Sequence, residues 1–162
     1  MALFSKIRFF LITSLLLISL GSCNKKNDVI PDVYVDFTLD LQDPEFVDLN
    51  AAGNSDTINA RTNNWGRGAA GYGGNGIIVT RGFIDYEFFA YDRTCPHDFA
   101  VNDLSVKVNI DKENFMRAIC PVCSTTYELT LYGTPVTGVG QYQLKNYKTS
   151  FDGRWVRVWN NY

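Results

Sequence analysis

Three cysteines and the one histidine of the chain fall into two short pairs, Cys95-Pro96-His97 and Cys120-Pro121-Val122-Cys123. Each pair is short enough for one turn of backbone to aim both side chains at a common point. Cys95, His97, Cys120 and Cys123 together make a complete four-donor shell of three thiolates and one imidazole. That donor set narrows the chemistry to a tetrahedral zinc or an iron–sulfur cluster.

The remaining cysteine has a different setting. Lys6 and Arg8 precede an apolar run over residues 9–20, interrupted only by Thr13, Ser14 and Ser19. The run is shorter than the roughly 20 residues that cross a bilayer. It ends in Leu20-Gly21-Ser22-Cys23, which resembles the bacterial lipobox, and a polar tract follows. The expectation is an export signal over 1–22, a lipidated tether over 23–32 beginning at Cys23, and one domain over 33–162. The protein would then sit in the bacterial cell envelope, held to a membrane by lipid and facing the periplasm or the cell surface. With Cys23 occupied, three cysteines are left in an oxidising compartment. A disulfide between any two strands the third, whereas one metal site uses all three and His97. Without Lys6 and Arg8 the balance is 13 basic to 17 acidic residues, a net of −4 with His97 neutral. That argues against nucleic acid as a partner and leaves no polybasic patch for an anionic membrane.

The elements that must position the two pairs read as strands. Val33, Val35, Phe37, Leu39 and Leu41 alternate with polar residues, the period of a half-buried strand. Pro44 ends that pattern, and residues 46–49 read as a short second strand. Further strand-like runs cover 76–80, 86–91, 106–110, 115–119, 127–131 and 155–159, and Asp152-Gly153 signals a hairpin. No window after residue 22 carries a long helical period. Residues 50–76 are rich in Asn, Gly and Ala. Two overlapping G-x-G-x-x-G matches there, Gly66/Gly68/Gly71 and Gly71/Gly73/Gly76, lack the preceding strand and following helix that a phosphate site needs. They read as a close-packed glycine loop. The fold class is therefore all-β and antiparallel, with Cys95-Pro96-His97 and Cys120-Pro121-Val122-Cys123 on loops at strand ends, and Asp92 and Asp98 as solvated flanking carboxylates.

Residues 91–159 resemble the Rieske iron–sulfur domain. That family carries C-x-H, a spacer, then C-x-x-H, a small residue and an aromatic at a strand start. Here C-P-H is followed by 22 residues and then C-P-V-C-S-T-T-Y. Gly133-Thr134-Pro135-Val136 and Leu144-Lys145-Asn146-Tyr147 look like the family's proline loop and the strand after it. The resemblance implies an antiparallel Rieske-like β-sandwich whose two loops bind a [2Fe–2S] cluster. By position, Cys95 and Cys120 would hold one iron, His97 and Cys123 the other, with Cys123 standing where the family has a histidine. A thiolate there adds negative charge, which implies a potential below the usual Rieske range of roughly −150 to +300 mV. Thr125 stands where a hydroxyl can bond a bridging sulfide, and Tyr127 where one can bond a cysteine sulfur. Both have plain alternatives, as a turn residue and a packed strand start. The chain has no cysteines for the family's loop-joining disulfide, so Pro96, Pro121 and Pro135 would stiffen the loops.

Three readings follow. The first is a lipid-anchored carrier of single electrons on a [2Fe–2S] cluster, working with a redox partner protein and not itself an enzyme. The second is a structural zinc site on the same residues in a binding or scaffold module. The third is a metal-free fold whose cysteines pair as a disulfide.

Overall fold

The computed structural model describes residues 29–160, so the export signal and Cys23 lie outside the described residues. Among those described, no helix is long and apolar enough to cross a membrane.

The strand at Asp36–Asp40 (β1) turns Phe37 and Leu39 inward and its acids outward. Five more strands build outward from it. Trp155–Trp159 (β10) lies antiparallel to β1, with Phe37 opposite Val158 and Leu39 opposite Val156. Asn146–Phe151 (β9), Phe88–Asp92 (β4), Ile77–Arg81 (β3) and Ser55–Ile58 (β2) complete a six-stranded antiparallel sheet in the order β1-β10-β9-β4-β3-β2. A second, smaller sheet runs β5-β6-β7-β8 from Asn109–Ile110, Arg117–Ile119, Thr126–Glu128 and Thr134–Thr137. The all-β antiparallel expectation holds; Cys95 follows β4 of the large sheet, and Cys120-Pro121-Val122-Cys123 follows β6 of the small one.

Residues Ile77 to Thr80 of β3 are all buried, because both faces of the strand are covered. Ile77 and Val79 join one core with Phe37, Leu39, Val156 and Val158. Ile78 and Tyr91 face a second core with Val108, Ala118, Leu129 and the cysteines 95 and 120. Tyr91 is fully buried, and its hydroxyl donates to the Leu129 carbonyl at 2.8 Å, tying the large sheet to the small one.

Three segments depart from the expectations. Residues 46–49 are not a strand: Val47–Asn50 is a 3₁₀ turn, closed by the Asn50 amide donating to the carbonyls of Val47 and Leu41. The glycine-rich segment contains β2 and three 3₁₀ turns, and its Trp65 ring stacks on Phe37 at 5.2 Å and Phe46 at 6.0 Å. Gly68, Gly71 and Gly76 press against backbone as expected, whereas Gly66 and Gly74 stand in open space. Gly71 has φ 65°, and a Cβ there would lie 2.5 Å from the Gly76 carbonyl oxygen. Finally, Pro96–Asn102 forms a short α-helix (α1) that hydrophobic periodicity did not announce.

Candidate metal centre

Helix α1 decides which side chains reach the site. Pro96 starts it, at a position where the missing N–H and fixed φ cost nothing. Cys95 precedes it in extended backbone, and the Phe99 N–H returns to the Cys95 carbonyl at 3.1 Å. On a helical turn, residues three apart share a face and residues two apart do not. Cys95 and Asp98 therefore point together, and His97 does not point with them. Below the loop, Cys95 N–H donates to the Val106 carbonyl at 2.8 Å and Thr94 bridges Lys107, which fixes the loop's base.

The second loop caps the hairpin between β6 and β7. Cys120 N–H donates to the Thr125 carbonyl at 2.9 Å and Ser124 N–H to the Cys120 carbonyl at 3.0 Å. Ser124 takes a positive φ of 57° to close the turn. Thr125 is itself buried, and its hydroxyl accepts the Gly140 N–H at 2.9 Å, which holds a third loop over the second. That third loop is Gly138 to Gly140. Gly133-Thr134-Pro135-Val136, which resembles the family's proline loop in sequence, runs into strand β8, where Pro135 lies opposite Tyr127.

The two loops bring Cys95, Cys120 and Cys123 to one point. Their sulfurs and a carboxylate oxygen of Asp98 all lie within 4.8 Å of one another. The Cys95 and Cys123 sulfurs are 3.6 Å apart, and all three cysteines are free thiols. His97 is half-buried on α1 and stands outside this group. Asp92 and Asp98, expected to be solvated, are both fully buried. Asp92 accepts from the Tyr72 N–H, the Tyr147 hydroxyl and the Thr94 N–H, so its role is to lock β4 and the glycine segment together.

The surroundings set hydrogen-bond donors, which favour thiolates, against burial, which opposes them. The backbone N–H of Asp98 favours the charged form of Cys95, and the N–H groups of Cys123 and Val122 favour that of Cys120. The Tyr127 hydroxyl lies 3.4 Å from the Cys95 sulfur. The Thr125 hydroxyl lies 3.2 Å from that of Cys123. Both hydroxyls thus reach cysteine sulfurs. Burial pushes the Cys95 thiol up to about 11, against the pull of these donors. Burial raises Cys120 further, with the Asp98 carboxylate adding to it. Burial also raises Asp98, but the thiols of Cys120, Cys95 and Cys123 and the Asn102 amide outweigh it and hold the carboxyl below its usual range.

This donor set fits a metal. Three converging thiols are the soft ligands of zinc and of iron–sulfur clusters, and each neutral thiol would give up a proton on binding. With metal–sulfur bonds of about 2.3 Å, a tetrahedron about one ion has edges of about 3.8 Å, close to the 3.6 Å between the Cys95 and Cys123 sulfurs.

No protein-family model and no curated protein matches the chain. Among solved structures it is similar to the cyanobacterial plasma membrane Rieske protein of Synechocystis PCC 6803, at 23% identity and TM-score 0.42, covering 51% of this chain and 74% of that one. It is also similar to the ferredoxin of carbazole 1,9a-dioxygenase from Nocardioides aromaticivorans IC177, at 14% identity and TM-score 0.44, covering 78% and 97%. The Sphingomonas yanoikuyae B1 ferredoxin matches at 13% identity and TM-score 0.44, over 70% and 94%. The chain resembles the Rieske family in its motifs, and these likenesses are to Rieske and ferredoxin structures.

Proposed function

We propose that the protein is an exported, lipid-anchored electron carrier with a Rieske-like iron–sulfur site. The observation that carries this reading is the meeting of Cys95, Cys120 and Cys123 from two loops inside a shell of N–H and O–H donors. A bound [2Fe–2S] cluster would supply one-electron chemistry. The chain's own residues do the rest. The β4–α1 loop and the β6–β7 hairpin loop fix the sulfurs, and N–H groups and the Tyr127 hydroxyl offset their negative charge. The buried core of Tyr91, Tyr127 and Leu129 keeps water from one side. Cys123 is only half-buried and Val122 beside it is 58% exposed, so the site lies just under the surface, where a redox partner protein can approach. With three thiolates the potential should fall below the usual Rieske range of roughly −150 to +300 mV. Lipid on Cys23 would keep the carrier at a membrane.

A second reading, one structural zinc ion, is favoured by one observation: all four donor atoms lie within 4.8 Å. A two-iron cluster, built as two tetrahedra sharing an edge, spreads donors on different irons further apart than donors on one ion. The test is to purify the chain after growth with ample iron and record absorption, EPR and metal content. Visible absorption with equal iron and acid-labile sulfide supports the carrier. A colourless protein holding one zinc supports the structural site, and a colourless metal-free protein overturns both.

A further inference from the structure

We infer that Asp98, not His97, supplies the fourth donor to the metal held by Cys95, Cys120 and Cys123. The inference rests on the metal-binding reading above, in either its iron–sulfur or its zinc form.

Three observations carry it. The first is position. A carboxylate oxygen of Asp98 is within 4.8 Å of each of the three sulfurs, and its Oδ2 lies 2.9 Å from Cys120 Sγ. The second is orientation. The Asn102 amide donates to Oδ1 at 3.2 Å, one turn along the same helix, which leaves Oδ2 facing the sulfurs as a single-oxygen donor. A ligand held from behind in this way is the usual arrangement at metal sites. The third is charge. Asp98 is 0% exposed, and none of the four ion pairs among the described residues includes it. A carboxylate removed from water without a cationic side chain is expensive unless another positive charge meets it. Here the Cys120 thiol and the Asn102 amide donate to it, and a metal cation at the centre would take the place of the thiol protons as the counter-charge the four groups share. The alternative donor, His97, stands outside the 4.8 Å group, one residue before Asp98 on another side of α1.

His97 is the only histidine in the chain, which makes the test clean. The full chain, carrying a tag without histidine, is produced with ¹⁵N-labelled histidine and ample iron, and its metal and sulfide are counted. If iron is present, pulsed EPR of the reduced site looks for strong coupling to the labelled ring. If zinc is present, it is exchanged for cobalt(II) and the visible spectrum is recorded. The expected result is no strong histidine coupling, and His97→Ala unchanged in metal content and spectrum. Asp98→Asn should lose about tenfold or more in metal affinity. Asp98→Cys should keep the metal and gain a thiolate-to-metal band, which also guards against a simple folding defect. Strong coupling to His97, or metal loss in His97→Ala with retention in Asp98→Asn, overturns the inference and leaves the metal site standing. A wild-type chain without metal overturns both.

Discussion

The Tyr127 hydroxyl stands 3.4 Å from the Cys95 sulfur, in a pocket where both groups are fully buried. A hydroxyl donating to a ligand sulfur stabilises the added electron and so raises the potential. Tyr127→Phe removes that donor and little else. The expected outcome is a lower midpoint potential, by tens of millivolts for a bond of about 1 kcal/mol, with the absorption spectrum retained. A potential equal to wild type in protein-film voltammetry would show that this hydroxyl does not tune the site. Tyr127 and Thr125 were legible in the sequence because they follow Cys123 at fixed offsets. Asp98 was not, although Cys95 and Asp98 stand three apart. A helix as short as Pro96–Asn102 has no period to read, so the chain looked like a loop in which His97 was free to turn inward.

At the scale of elements, β1 is held to β10 by charge as well as by its backbone ladder. Arg154 donates to both carboxylate oxygens of Asp40, and Arg157 to both of Asp36. The Arg154 hydrogen bond holds the Asp40 carboxyl below its ordinary value of 3.8. A carboxyl depressed in the folded state adds stability above its unfolded value, and that stability is lost as pH falls through the folded value. Edge-strand β1 should therefore loosen on acidification from about pH 4 downward. Hydrogen exchange at Phe37 and Leu39, referenced to β3, should show the loss of protection, and Asp40→Asn should abolish its pH dependence. The strands themselves were legible wherever one face is wet. β1 and β10 alternate cleanly, and Asp152-Gly153 marks their neighbouring hairpin. Residues 50–76 were not legible, because what orders them is long-range: Trp65 on Phe37 and Phe46, and glycines pressed against backbone.

Across the whole molecule, two cores share the pair β3 and β4. The large-sheet core lies on one side, and the core that includes the cysteines lies on the other. Within the second core, Tyr91 ties the large sheet to the small one through its bond to Leu129. Tyr91→Phe would leave that buried carbonyl unpaired and cost about 1–3 kcal/mol. Because the cores share strands, urea unfolding should stay a single transition with a lower midpoint and an unchanged slope. Two separate transitions would show that the small sheet unfolds alone.

The 3.6 Å between the Cys95 and Cys123 sulfurs also sets an order of events in the life of each copy. Two thiols at that separation close into a disulfide once an oxidising partner, itself a disulfide, accepts two electrons and two protons. That bond would withdraw two donors together. Burial slows this fate, since Cys95 is pushed up to about 11 and the attacking species is the thiolate. A newly made chain is thus given a grace period rather than immunity. On the metal-binding reading proposed above, a metal arriving within it would claim the sulfurs, and a chain oxidised first would lose two of its donors.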